Sequence, residues 1–262
     1  RYAVEVLEED GAEDTTLLED LSVEGSIVLP NIKEIFLTDT GKEIADFDLS
    51  GADIQIVAWD SECKWLMDFF ANPKGKVYKY IASEFFQREI SDKEYKPYKG
   101  VFHGLNYLMG LDKLAATAGI SYDLAKSLRD FYFSLNPEIL IWHERLKLEV
   151  SRKGYISNIF GRRGWFLNRN DATLYNKVAS FIPQSSVSDI INRAMVRITE
   201  ELPEVDLLLN VHDSTVCQYP IEKAEYYRSA IRDCMMVTLP YKTPLIIPSD
   251  GKFSTKSYGD CG

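Results

Sequence analysis

The sequence predicts an α+β fold in which a mostly helical insertion separates two acid-bearing strands. Three observations lead there. Glu43-Ile44-Ala45-Asp46-Phe47-Asp48 reads as a strand that ends in acid. Leu207-Leu208-Leu209-Asn210-Val211-His212-Asp213-Ser214-Thr215-Val216 reads as two apolar runs joined by a tight turn, with a carboxylate at its tip. The stretch between them is dominated by helical spacing of apolar residues.

Taken in order, residues 1–25 are acidic, with Glu8-Glu9-Asp10 and Glu13-Asp14, and read as a solvated connector. Leu29-Pro30-Asn31 signals a turn, 33–38 a short strand, and Asp39-Thr40-Gly41 a second turn before the first firm strand. From Ala52 the pattern becomes helical, with Trp65-Leu66 and Phe69-Phe70, and Pro73 and Gly75 interrupt it. Val77–Phe86 is the next helix. Pro97 is placed in the first turn of a helix running to about Gly110. Helices follow over 111–118, 121–136 with Ser121 as N-cap, and 138–151 after Pro137. Residues 154–161 read as a hairpin followed by Arg162-Arg163-Gly164, and Pro183 as the start of a helix carrying Ile190, Ile191, Ala194 and Met195 on its buried stripe. A helix over 222–236 and a last strand at Leu245-Ile246-Ile247 precede a polar tail.

The 262 residues suffice for one large core or two modest ones. No apolar run approaches the ~20 residues that cross a bilayer, and Arg1 opens no signal-peptide pattern. Cys63, Cys217, Cys234 and Cys261 are scattered without CxxC pairing, which argues against a zinc site or a disulfide framework and for a reducing, cytoplasmic setting. A net charge of −10 weighs against nucleic acid as a partner, yet the bases cluster at Lys93, Lys96 and Lys99 and at Arg152-Lys153 and Arg162-Arg163. A local basic groove on an acidic body is compatible with that distribution.

Two converging strand-end carboxylates, Asp48 and Asp213, would hold two Mg²⁺ ions about 3.5–4 Å apart, one activating an attacking hydroxyl and one carrying charge on a leaving phosphate. Asp46, two residues earlier on the same strand face, is the runner-up ligand. Lys99, with Lys96, would clamp a triphosphate near a helix N-terminus. Lys99, His103 and Tyr107 are four apart and share one helix face. Each signal has a bland counterpart. A strand-end Asp also caps turns, His212 also serves as a satisfied structural histidine, and the His–Tyr face also arises by partial burial. Spacing alone does not separate a polymerase from another Mg²⁺-dependent phosphotransferase.

From Leu29 to Asp260 the sequence resembles the family A DNA polymerases. Asp48-Leu49-Ser50-Gly51-Ala52-Asp53-Ile54-Gln55 is similar to the family's motif A, Lys99 to Tyr107 with His103-Gly104 to motif B, and Asn210-Val211-His212-Asp213 to motif C. Gly154-Tyr155 to Gly161-Arg162-Arg163, Pro183-Gln184 and Lys256-Ser257-Tyr258-Gly259-Asp260 keep the family's order. The resemblance implies a palm over 26–61 and 166–262, built as an antiparallel sheet with helices, and a mainly helical fingers subdomain over 62–165. It implies template-directed addition of dNTPs to a primer 3′-hydroxyl, with two Mg²⁺ ions (Mn²⁺ as the substitute) held by Asp48, Asp213 and the Leu49 carbonyl. Lys99 and Lys96 would meet the nucleotide's phosphates, His103 its sugar, and Tyr107 the template base. Asp53 would be the acidic gate against ribose. Gln184, Asn210, His212, Arg162 and Arg163 would touch primer–template DNA.

Departures accompany the match. Asp53 stands for a Glu, His103 for Phe or Tyr, Tyr95 for an Arg, Gln55 for an Arg, and Ser214 for the motif C Glu. His212-Asp213-Ser214 also matches the single-subunit phage-type RNA polymerases, whereas Gly104 and the acidic Asp53 favour DNA synthesis. A catalytically inactive, nucleic-acid-binding module is the third reading, against which both aspartates and Lys99 count. A thumb and a 3′–5′ exonuclease find no room in this sequence, so it reads as a palm-and-fingers portion completed by other segments. Without a thumb, this portion is expected to grip duplex DNA weakly; fluorescence anisotropy that showed tight, processive binding would contradict this.

Overall fold

The computed structural model describes residues 31–261 together with the backbone of 4–5 and 27–28, where Val4–Glu5 (β1) pairs in parallel with Ile27–Val28 (β2). Apart from Val4–Glu5, the expected acidic connector over 1–25, and most of the turn at 29–31, lie outside the described residues.

The site is positioned by a four-stranded antiparallel sheet in the order β10-β3-β7-β6, formed by Lys42–Leu49 (β3), Asp206–Val211 (β6), Ser214–Pro220 (β7) and Ser249–Ser254 (β10). β3 and β7 are its central strands, and both are buried almost throughout. Ala45, Phe47 and Leu49 join the main core, while Ile44 joins a smaller cluster with Val216, Tyr258 and Cys261. The buried Glu43 is satisfied by a two-pronged contact from Arg228 (2.9 and 2.7 Å) and by the Tyr219 hydroxyl (2.8 Å).

Between β3 and the rest of the sheet lie Ala52–Asp60 (α1), Lys64–Ala71 (α2), Val77–Phe86 (α3), Asp92–Asn106 (α4), Leu111–Ala118 (α5), Tyr122–Leu135 (α6) and Pro137–Lys153 (α7). A two-stranded ribbon, Tyr155–Ser157 (β4) and Arg163–Trp165 (β5), leads into the 28-residue Leu174–Glu201 (α8). Ala224–Met235 (α9) follows the sheet hairpin, and Thr238–Leu239 (β8) pairs with Leu245–Ile246 (β9). α3 to α7 pack on one another, and α1 joins this block to α8, which also touches β6 and β7. No described helix is long and apolar enough to cross a membrane.

Several boundaries differ from expectation. Residues 33–38 form no strand: Asn31 caps a 3-10 turn at Ile32–Ile35, and only Leu37 bridges to Ser257. α4 begins at Asp92, not near Pro97, because Ser91 and Glu94 make a reciprocal capping box that outweighs the proline signal. Pro97 sits inside the helix, which buries Val101, Phe102 and Leu105 beyond it. Pro183 likewise lies buried in the middle of α8, not at its start. The ribbon extends past Gly161, since the Asn158 side chain accepts from the backbone N–H groups of Phe160 and Arg162 and sets a wider turn. The last strand of the sheet is β10, in the stretch expected to be tail. Its polar Ser-Asp-Gly-Lys composition suits an edge and hides it from an apolar count.

One buried polar network holds the end of α4. His143 of α7 donates from Nε2 to the Asn106 carbonyl (2.8 Å), while the Asn106 side chain joins the hydroxyls of Tyr78 (2.9 Å) and Tyr132 (2.7 Å). His143 is 1% exposed, and burial, more than the neighbouring Lys147, depresses its pKa to about 4. A histidine held below its ordinary 6.5 contributes stability that is complete above pH 6.5 and lost as pH falls through 4, because only the unfolded chain takes the proton. Urea unfolding should therefore show wild type losing about 3 kcal/mol more than His143→Gln between pH 7 and pH 4. Parallel stability curves would rule this out.

Candidate active site

Asp48 sits one residue from the end of β3, paired in register with Ser214 of β7 and Asp250 of β10. Asp213 occupies the second position of the two-residue turn between β6 and β7, where Val211 faces Ser214. His212, the first turn residue, has φ of +54°, a left-handed conformation that His tolerates better than most side chains. The Leu49 N–H donates to the Asp213 carbonyl at 3.1 Å, so the hairpin tip is pinned to the end of β3. The two expected carboxylates are thereby brought together.

Their electrostatics follow from that crowding. Partial burial of its carboxyl, then the adjacent Asp213 and Asp46 carboxylates, push Asp48 up to about 7, while Lys252 on β10 pulls the other way. Asp46, the runner-up ligand, pairs across strands with Lys252 and leaves one buried oxygen without a hydrogen-bond partner. Among the described residues no three His, Cys, Asp or Glu side chains gather as a ligand cluster. The donors on offer are carboxylate and carbonyl oxygens, the hard set that suits a small divalent cation, and the uncompensated negative charge fits one.

A second group adjoins the pair. The Tyr107 hydroxyl donates to Asp53 Oδ2 at 2.7 Å, and His103 Nε2 lies 3.9 Å from the same oxygen. The His103 and Tyr107 rings meet edge-on with centroids 4.6 Å apart, as the four-residue spacing requires. Burial raises Asp53 above the usual carboxylate range against the pull of Tyr107 and His103, and Asp213 adds to the rise. Burial lowers His103, and Lys99 adds to that effect. Burial and Asp53 together push the Tyr107 phenol upward, so the hydroxyl stays a donor. Gly104 lets α5 approach here, since a Cβ would stand 3.0 Å from Leu114 and Met109.

Lys96 and Lys99 are exposed and make no ion pair among the described residues. Gln184 on α8, Asn210 on β6 and His212 are exposed. Arg162 is differently placed: its guanidinium is tied to Asp189 of α8 (2.5 Å), which also takes Asn158 (2.7 Å). Arg163 points its charge over the Tyr155 ring. Sequence reasoning missed Asn176, which donates from one amide to the carbonyls of Tyr107 (2.8 Å) and Leu108 (2.9 Å) and so fixes the end of α4 from α8. It also missed Asn106 and His143. An Asn on the apolar face of α4, next to the expected functional Tyr107, was the available signal.

A strand-end carboxylate, a hairpin-tip carboxylate and a lysine-bearing helix are carried on one α+β frame. The family model "DNA polymerase family A" matches residues 24–254, and the chain belongs to that family. DNA polymerase I of Synechocystis sp. is 27% identical over 243 residues, 82% of this chain and 24% of that protein. The thermostable DNA polymerase I of Thermus aquaticus is 26% identical over 82% of this chain and 27% of its own. The DNA polymerase of Mycobacterium phage D29 is 26% identical over 87% of this chain and 37% of its own. The chain thus spans between about a quarter and somewhat more than a third of the length of these relatives. Among solved structures, the POL domain of Pol1 from M. smegmatis, in complex with DNA primer-template and dNTP, superposes with a TM-score of 0.77 at 22% identity, over 88% of this chain and 42% of that one.

The crowding at Asp48 has a measurable sign. A carboxyl whose folded pKa is raised to about 7 costs stability once ionised, beginning above its ordinary value near 4 and reaching the full cost above 7. Asp48→Asn should therefore raise the melting temperature at pH 8 in chelator, and the gain should fade as pH falls toward 4. A variant less stable than wild type at pH 8 would contradict this account.

Proposed function

We propose that the chain is the synthetic portion of a DNA-directed DNA polymerase, in which a primer 3′-hydroxyl attacks the α-phosphate of a template-selected dNTP and pyrophosphate leaves. The observation that carries the reading is the convergence of Asp48 and Asp213, pinned by the Leu49–Asp213 backbone bond and left with excess negative charge. Asp48, Asp213 and the Leu49 carbonyl would hold divalent cations, Mg²⁺ or Mn²⁺. When bound, these make the hydroxyl more acidic and neutralise charge developing on the phosphates.

The remaining roles belong to the chain's own side chains. Lys99 and Lys96, free of carboxylate partners among the described residues, supply positive charge to the triphosphate. The His103 ring packs on the nucleotide's sugar, and Tyr107 holds Asp53 in place as the gate against a ribose 2′-hydroxyl. Because Asp53 is one methylene shorter than the Glu it replaces, the gate is set back, and its hydrogen bond to Tyr107 is what keeps it in position. Gln184, Asn210 and His212 offer exposed polar groups to the primer–template, with Arg163 as a further cation. In this reading the sheet with α1, α8 and α9 is the palm (26–61 and 166–262), and the helical block (62–165) is the fingers.

Primer extension by the purified chain tests the proposal. Asp48→Ala or Asp213→Ala should reduce incorporation by about a thousandfold or more, to background, with circular dichroism and DNA binding largely retained. Incorporation that survives both substitutions would remove the metal assignment. Preference for rNTPs over dNTPs would favour the RNA-polymerase reading instead.

A further inference from the structure

α1 is tied to the helical block at both of its ends. Asp53, in its first turn, accepts from Tyr107 at the end of α4. Asp60, its last residue, accepts through Oδ2 from the Trp142 indole at 2.6 Å and from the Arg145 guanidinium at 2.8 Å, both on α7. The same Arg145 nitrogen donates to the Asp60 backbone carbonyl at 2.7 Å, and so caps the C-terminus of α1 with positive charge. Asp53 and Asp60 are two helical turns apart, about 10 Å, and therefore lie on one face of α1.

The two ends are joined through α7 into a closed ring of bonds. Trp142 and His143 are neighbours on α7: the first binds Asp60, and the second donates to the carbonyl of Asn106 (2.8 Å). Asn106 precedes Tyr107, and Tyr107 returns the path to Asp53 on α1. Every link of this ring is a covalent bond or a hydrogen bond. The Asp60 corner is braced from a further side, because the Trp59 indole donates to the Thr243 carbonyl at 2.9 Å in the β8–β9 turn. Burial raises the Asp60 carboxyl above the usual range, against the pull of Arg145 and Trp142. A half-buried ion pair of this kind adds little net stability. What it supplies is direction, since two donors on one oxygen admit a single arrangement where apolar contacts alone would slide.

We infer that Asp60 is a positioning residue of the nucleotide site: through Trp142 and Arg145 it closes this ring and fixes where α4 sets Lys99 and His103 relative to the Asp48–Asp213 pair. It acts through α7 and α4 and does not itself meet the nucleotide. The role rests on the polymerase reading, because a nucleotide is the ligand that α4 would hold.

Primer extension at varied dNTP concentration, paired with hydrogen exchange of the full chain without DNA or nucleotide, tests the role. Asp60→Asn keeps the size and an acceptor while removing the charge. It should raise the KM for dNTP about tenfold, with kcat changed by less than about threefold and primer–template affinity unchanged. A loss of stability alone would do the opposite, lowering the active fraction and hence kcat at constant KM. Arg145→Ala should resemble Asp60→Asn, and Arg145→Lys should recover part of the loss. The double variant Asp60→Asn/Arg145→Ala should be no worse than either single one, because the two side chains form one contact. In exchange, Asp60→Asn should speed the amides of 104–108 at the end of α4 as well as those of α7, while β3 and β7 stay protected. An unchanged KM, fully additive effects in the double variant, or faster exchange confined to α1 and α7 would overturn the inference. A wild-type chain that extends no primer would count against the polymerase reading alone, and exchange at 104–108 would still decide whether Asp60 holds α4.

Discussion

Two carboxylates placed side by side repel, and the fold exists to hold them there. The backbone bond from Leu49 to Asp213 ties a strand end to a hairpin tip. The buried pairing of β3 with β7 makes both strands too well anchored to relax apart. Burial of Ile44, Phe47, Leu49 and Val216 on the two faces of the sheet supplies the opposing stabilisation, each large apolar side chain worth roughly 1.5–3 kcal/mol when removed from water. Asp48 titrates near neutrality as a consequence, and a cation is the natural relief for the charge.

The helical block is joined to this centre by a shared apolar core and by specific polar contacts. Tyr107 at the end of α4 reaches Asp53 in the first turn of α1, so a helix of the insertion and a helix of the sheet unit share one hydrogen bond. Around the same helix end, Asn176 holds the carbonyls from α8, and His143 with Asn106, Tyr78 and Tyr132 fills the space behind. Buried polar networks of this kind are costly when half satisfied and specific when complete. Here they set the angle at which Lys99 and His103 are presented.

Much of the site was legible because it lies where strong local patterns end. Apolar β-prone runs stop at Asp48 and at His212-Asp213, and the helix stripe Lys99–His103–Tyr107 follows from 3.6-residue geometry. What was not legible depended on tertiary partners. Pro97 and Pro183 look like helix starts, yet a capping box and a buried stripe carry the helices through them. β10 is polar by composition and is a strand only because β3 offers it an edge. Arg162 and Arg163 are adjacent in sequence and look equivalent, but strand alternation and Asp189 give one a structural bond and leave the other over an aromatic ring. Asn176 and His143 carry no motif at all; their roles exist only once α7 and α8 are packed against α4.

The turn that joins β6 to β7 contains two residues and no slack. Adding or deleting one would rotate every following side chain of β7 to the opposite face, exchanging Cys217 and Tyr219, which face the main core, with Val216, which faces the smaller cluster. Variation at this point of the chain is therefore confined to the identity of side chains and barred from loop length. A residue such as Ser214, buried just beyond the tip, is the kind of place where a change of chemistry is admitted without a change of shape.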